Sequence, residues 1–443
     1  MKAINSAIKK HEKLILDTER YIWANPETGY KEVKTSAYME EKFRGLGYEL
    51  TMAEGITGFV AEIDTGKVGP TLLILGELDS VICPNHPESD PETGAVHSCG
   101  HNAQCAALLG IAAALKEEGV LDGLCGKIRL CAVPAEELLE IEYRTELKNK
   151  GIIKYLGGKS EFLSRGLFDG VDLAFMVHTG SRFLIRRGSV GCIAKQIIYK
   201  GKAAHAGGEP QAGINALYAA SCGLNAVNAI RETFVDEEHI RVHPIVTSGG
   251  SMVNAIPETA TLESYVRGKT YEAMVRENKK VNRAFVGAAL SLGANVEIVD
   301  SPGYAPLNND YNMMLLAKDA MELALPGTPY VFLEDDFSKG STDMGDLSCI
   351  MPVVHPYSGG YIGTGHGSDF YIADPHAACV DSARWQLCMA KLLLENGAKR
   401  AKDIIDNFTP LFKSKKDYLE YIEKISTHGD RITYFEDGAE AKI

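Results

Sequence analysis

The chain has 443 residues, 45% of them hydrophobic, and a net charge of -13, which leaves room for two or three domains of about 150 residues each. The acidic balance, with no Lys/Arg run interleaved with aromatics, excludes a phosphate backbone as partner, so no nucleic acid is expected. The N-terminal stretch is charged throughout, unlike a signal peptide, and the longest uncharged apolar run, Cys105 to Leu115, falls short of the ~20 residues that span a membrane.

The expectation is a cytoplasmic protein without a membrane partner. Its ten cysteines form no C-x-x-C pairs and read as free thiols of a reducing compartment.

In chain order, residues 4 to 47 read as two helices interrupted at Asn25-Pro-Glu-Thr-Gly29, where Pro and Gly break the pattern. Strands are predicted at Gly58 to Ile63 and Thr71 to Leu75. The second of these runs into the carboxylate pair Glu77 and Asp79. A Pro/Asn/Asp-rich loop then leads to His97-Ser-Cys99-Gly-His101 and an alanine-rich helix from about Asn102. Gly126 to Val133 is the next predicted strand, stopped by Pro134 at Glu136-Glu137, and Val171 to Val177 another, ending at His178.

From about Gly188 the pattern changes. Strand (Cys192 to Tyr199), helix (Gly213 to Ile230), strand (His239 to Thr247), strand (Thr259 to Arg267), helix (Tyr271 to Leu292) and strand (Asn295 to Val299) follow in turn. That is the β-α-β-β-α-β order of a ferredoxin-like unit. The predicted division is therefore 188–301 inserted into a domain made of 1–187 and 302–443. Later come a helix from Asn312 to Leu325, the Ser341-Thr-Asp343-Met-Gly-Asp346 stretch, a Gly-rich segment around His366, a long helix from Pro375 to Asn396 and a polar helical tail.

Cys99 and His101 stand two residues apart, which on a helix would point them different ways, so they belong to the loop. Thiolate and neutral imidazole both bind borderline-soft divalent ions. An isolated Cys-x-His triplet is more commonly a buried thiol beside a capping imidazole, and adjacent glutamates are more commonly a solvated pair. Here three successive apolar strands end in potential ligands, and strand carboxyl ends form the ligand crevice of an open α/β sheet. A metal site is the better reading.

Other motifs fail. Gly158-Lys159-Ser160 resembles the end of a phosphate loop, but Ile153 stands where that motif needs Gly. Gly363-Thr-Gly365-His-Gly367 follows no strand-to-helix dinucleotide pattern, and no G-x-S-x-G is present. Cys99 as a nucleophile with a histidine base stays open, although the surplus of His and Glu favours metal.

Taken together these residues resemble the M20 metallopeptidases, in the amidohydrolase branch of aminobenzoyl-glutamate, hippurate and auxin-conjugate hydrolases. The matching segments are Asn25-Pro-Glu-Thr-Gly29 with Glu32, Glu77-Leu-Asp79, His97 to His101, Pro134 to Glu137, His205-Ala-Gly-Gly-Glu-Pro210, Gly249 to Pro257, Arg267 and His366. The Ser341 stretch looks most like the aminobenzoyl-glutamate subgroup.

The resemblance implies an α/β fold: a metallopeptidase-type catalytic domain with a central mixed sheet flanked by helices, plus an inserted ferredoxin-like α+β dimerisation or lid domain. It implies two divalent ions, manganese or zinc foremost and cobalt or nickel besides, held by Cys99, His101, Glu137, His178 and His366. It makes Glu136 the general base, gives Asp79 a ligand-orienting role, and brings His205, Asn254 and Arg267 to the substrate in a homodimer. The chain departs from the branch at Asn102, Gln104 and Gln211.

The implied reaction is metal-dependent hydrolysis of the amide bond of an N-acyl or N-aroyl amino acid. The rival readings are a dipeptidase or aminopeptidase of the same superfold, and a non-catalytic scaffold.

Overall fold

The computed structural model describes all 443 residues. Its central sheet has six strands, in the spatial order Leu50–Met52, Phe59–Asp64, Lys127–Val133, Thr71–Glu77, Leu173–Phe175 and Val353–Val354. The first three pair antiparallel and the rest parallel. Thr71–Glu77 lies in the interior of the sheet and is buried along its whole length, as its unbroken apolar sequence requires. Its side chains alternate between faces: Leu72 and Ile74 join the larger apolar core, Leu73 and Leu75 the one opposite.

The larger core lies under the helices Lys2–Trp23, His101–Leu115, Tyr311–Ala324 and Ser382–Asn407. His101–Leu115 is buried at all 15 positions, which is why it is built of alanines and carries no polar face. A Cβ on Gly110 would lie 2.5 Å from Ile15 of the first helix, so glycine is what lets these two helices approach. Gly100, with φ of 87°, precedes the helix and turns the chain from Cys99 into His101.

Residues 191–304 form the inserted α+β unit. Its antiparallel sheet runs Arg241–Val242, Thr259–Gly268, Gly191–Lys200, Asn295–Tyr304, with Ile245–Ser248 also on Thr259–Gly268. The helices Ala216–Ile230 and Tyr271–Ser291 share an apolar core with this sheet.

Several elements differ from expectation. The single strand predicted at His239 to Thr247 is two, split around His243-Pro244, since proline lacks the donor a ladder needs. The strand predicted to end at Val299 continues to Tyr304 through Pro302, which sits at a register shift opposite Ile193. The Val171 to Val177 strand is shorter, Leu173–Phe175, and His178 belongs to another sheet.

That other sheet was not foreseen. It joins Leu307–Asn308, Phe183–Ser189, Tyr357–Ser358 and His178–Thr179, with Tyr330–Ser338 parallel to Phe183–Ser189. The long C-terminal helix opens with a π-turn at His376–Asp381 and is broken at Glu395 to Ala398. Beyond it the tail forms the helix Lys415–Lys424 and a hairpin, Ile432–Phe435 with Gly438–Ala441. All ten cysteines are free, and no helix is long and apolar enough to cross a membrane.

Candidate metal centre and active site

The strand ends and loops that carry the predicted ligands converge. Cys99, His101 and His178 offer ligand atoms within 4.8 Å of one another, and so do Cys99, Glu137 and His366. The two triads share one sulfur. The five expected ligands thus fall into two adjoining triads that could hold two ions, and a third group, Glu77, His101 and Glu136, brings two more carboxylates within the same reach.

Each imidazole is aimed. His101 Nδ1 lies 2.9 Å from the Asp79 carbonyl oxygen and 3.2 Å from its Oδ1. Both partners only accept, so Nδ1 carries the hydrogen and Nε2 is left to bind an ion. His178 repeats the device: Nδ1 donates to the Thr179 carbonyl at 2.8 Å, and Nε2 stands 3.5 Å from Cys99 Sγ. His366 Nε2 lies 2.9 Å from Glu137 Oε1, and the His366 amide donates to the Ser98 carbonyl at 2.8 Å, tying the Gly-rich segment to the Cys99 loop.

The donor set fits divalent cations. Burial and Glu137 push the Cys99 thiol up, but His101, His178 and His366 outweigh them and bring it down to about 6, so sulfur is a thiolate near neutrality. Burial raises Glu137, yet His366 holds it at about 2. Burial works against a proton on His101, but Cys99 and Glu77 raise its pKa well above the ordinary value. The same negative charges favour a metal ion in the proton's place. His101 Nε2 is fully buried without a hydrogen-bond partner.

Glu136 is 5% exposed, and its Oε2 lies 4.0 Å from His101 Nε2. Burial, followed by the charges of Glu77 and Glu137, pushes its carboxyl well above the usual range. A carboxyl raised in this way holds a proton more firmly than a free one, as a group that takes and returns a proton must. Glu136 and Glu137 open onto a cavity of about 390 Å³ that Cys99, His178, His366 and Arg267 also line. Arg267 Nη1 donates to Ser341 Oγ at 2.7 Å, which places the guanidinium across the cavity beside the Ser341 stretch.

His205 and Asn254 do not line this cavity. They are exposed on the inserted unit, joined by the Ala206 amide donating to the Asn254 carbonyl at 2.9 Å. The Gly207 and Gly208 amides donate to His205 Nδ1 at 3.2 and 2.9 Å, fixing its ring.

Sequence reasoning missed the layer behind the ligands. Lys159, rejected as part of a phosphate loop, is a fully buried ammonium 2.5 Å from Glu77 Oε1 and paired with Asp343 as well. Burial raises the Glu77 carboxyl, but Lys159 and then His101 outweigh it and hold it low. Gln104 donates to Glu77 Oε2 at 2.8 Å, and Asn102 to Glu19 Oε1 at 2.7 Å, so two of the departures are neutral donors to buried carboxylates. His355 also lines the cavity. Its signal was available, since it follows the strand Val353–Val354 as His178 follows Leu173–Phe175.

Among proteins of known sequence, a Mus musculus Xaa-Arg dipeptidase is 28% identical over 362 residues, 78% of this chain and 76% of the relative. A p-aminobenzoyl-glutamate hydrolase polypeptide of Escherichia coli is 26% identical over 328 residues, 61% of this chain and 70% of the relative. A Bacillus subtilis structure described as a dinuclear metal binding peptidase from the M20 family superposes with a TM-score of 0.63 at 21% identity, covering 87% of this chain and 99% of that one. The profile of peptidase family M20/M25/M40 matches residues 73–389, and with side chains grouped to hold divalent ions the chain belongs to that family as a metal-dependent amide hydrolase.

Proposed function

We propose that this enzyme hydrolyses the amide bond of N-acyl or N-aroyl amino acids, conjugates of the aminobenzoyl-glutamate kind. The observation that carries the reading is the shared sulfur of Cys99, which makes two adjacent ligand triads beside the buried carboxyl of Glu136.

Cys99, His101, Glu137, His178 and His366 would hold the two ions, manganese or zinc first among candidates for this mixed S/N/O set. Such ions supply Lewis acidity, acidifying water towards neutrality and polarising the scissile carbonyl. Glu136 takes the proton of the attacking water and passes it to the leaving amine, work worth about 10²- to 10⁴-fold. Arg267, whose planar fork suits a carboxylate, holds the free carboxylate of the amino acid.

His205 and Asn254 reach the substrate from a second copy. The homodimer forms through the inserted unit, whose edge strand Ile245–Ser248 is exposed at every residue and which also exposes Tyr218, Met252 and Val253. An open apolar edge of this kind pairs with another chain. From across that interface His205 steadies the developing oxyanion. Ten free cysteines support a reducing compartment, and we place the enzyme in the cytoplasm.

The dipeptidase relative favours a second reading, cleavage of dipeptides with a free amino group. A metal-reconstituted panel of N-acyl and N-aroyl amino acids against dipeptides separates the two, and turnover of dipeptides alone overturns the first. Glu136→Ala should keep its metal content and nearly abolish turnover; full activity in that variant removes Glu136 from the chemistry.

A further inference from the structure

The segment Ala135 to Leu138, which carries both catalytic-site glutamates, is held at nearly every peptide group. Ala135 has φ of 55°, a left-handed conformation that a residue with a Cβ keeps only where its surroundings enforce it. Glu32 Oε1 accepts the Ala135 amide at 2.7 Å, and Asp79 Oδ2 accepts the Glu137 amide at 2.8 Å. Arg144, 1% exposed, donates to the carbonyls of Ala135 and Glu137. These four contacts come from the catalytic body.

The other two carbonyls are held from elsewhere. The Tyr304 hydroxyl donates to the Glu136 carbonyl, and the Tyr265 hydroxyl to the Leu138 carbonyl. Tyr304 ends the strand Asn295–Tyr304, and Tyr265 lies in Thr259–Gly268, two residues before Arg267. Both strands belong to the inserted unit, and both flank its strand Gly191–Lys200. The inserted unit therefore touches the backbone of the glutamate loop with two hydroxyls, one of them on the strand that carries the cavity's guanidinium.

We propose that Tyr265 and Tyr304 are positioning residues for Glu136: the seating of the inserted unit sets the aim of the base through two hydroxyl-to-carbonyl hydrogen bonds. The proposal rests on the reading of Glu136 as the base. A buried carbonyl deprived of its donor shifts to find another partner, and a loop moved by a fraction of an ångström loses alignment of the carboxylate with the attacking water. Arg267, proposed above to hold the substrate's carboxylate, lies on the same strand as Tyr265, which would join substrate binding to base alignment.

The test uses metal-loaded full-length protein with Tyr265→Phe, Tyr304→Phe and the double variant. Phenylalanine keeps each ring's packing and removes only the hydroxyl. Hydrogen–deuterium exchange of the 135–139 amides should quicken in each variant. On the substrate the wild type turns over best, kcat should fall by about 10- to 10²-fold, with KM within about twofold and metal content unchanged.

Unchanged exchange together with unchanged kcat overturns the proposal, and so does a rise in KM at constant kcat, which would make the tyrosines substrate contacts. Should Tyr304→Phe fail to fold, Tyr265→Phe, whose ring is only partly buried, carries the test. Faster exchange in the tyrosine variants beside an active Glu136→Gln enzyme would refute the role of Glu136 while leaving the loop contacts intact.

Discussion

Asp79 fixes the ring of His101 and, with the same carboxylate, the neighbouring ligand loop: Oδ1 lies 3.2 Å from His101 Nδ1 while Oδ2 accepts the Glu137 amide at 2.8 Å. One side chain thus orients a candidate ligand at the head of a helix and another beyond a strand end. Removing such an outer partner typically costs about 10- to 100-fold in metal affinity or activity. Asp79→Ala should fall in that range, with the loss visible in metal content after dialysis against a weak chelator. Full retention of metal with full activity would show that His101 needs no such support.

Lys159 lies between Glu77 and Asp343 with no water-exposed surface. Breaking a buried ionic group by removing one partner costs about 3–5 kcal/mol, because uncompensated charge stays buried. Lys159→Met should lose about that much in equilibrium urea unfolding. The triple variant Lys159→Met, Glu77→Gln, Asp343→Asn should recover most of it, since neutral amides leave no buried charge. Equal destabilisation in single and triple variants would mean that packing, not charge, is what Lys159 supplies.

The candidate ligands are legible in the sequence because each of them ends an apolar run or sits in a motif with its own spacing. Strand carboxyl ends are where an α/β sheet opens, and Glu137 and His178 could be placed there by reading hydrophobicity alone, while Cys99 was legible only from its motif before the alanine-rich helix. Lys159 and Asp343 could not be joined in the same way. They are 184 residues apart in sequence, and each lies in a stretch whose local pattern points elsewhere. The second sheet was hidden for a related reason: three of its five strands, His178–Thr179, Leu307–Asn308 and Tyr357–Ser358, have two residues each, too short to show a period. Proline gave a partial warning at Pro244, where the predicted strand splits, but Pro302 is absorbed at a bulge that only the partner strand reveals.

A homodimer that exchanges His205 makes a sharp prediction. Glu136→Gln and His205→Ala homodimers should each be nearly inactive, one lacking the base and the other the imidazole. Mixed, dissociated and reassembled, half of the dimers carry one of each chain, and one of their two sites has both groups intact. About a quarter of wild-type activity should return. No recovery, with exchange of protomers verified by mass, would place His205 in its own chain's site or outside the chemistry.

Asp346 is buried, with Oδ1 accepting the Tyr418 hydroxyl and Oδ2 unpartnered. Burial, then the charge of Asp343, pushes its carboxyl up to about 8, against about 3.9 for aspartate in an unfolded chain. Between those values the folded protein holds a proton that the unfolded chain has released. This group's contribution is therefore complete below about pH 4 and is lost progressively as pH rises through about 8. Asp346→Asn keeps the shape and the acceptor for Tyr418 but cannot ionise. Its thermal midpoint should exceed that of the wild type at about pH 9, with the gap closing as the pH falls towards about 5, in scanning calorimetry on both proteins. A gap independent of pH would mean that Asp346 is already ionised in the folded enzyme, with the Lys159 ammonium offsetting burial and Asp343 in full.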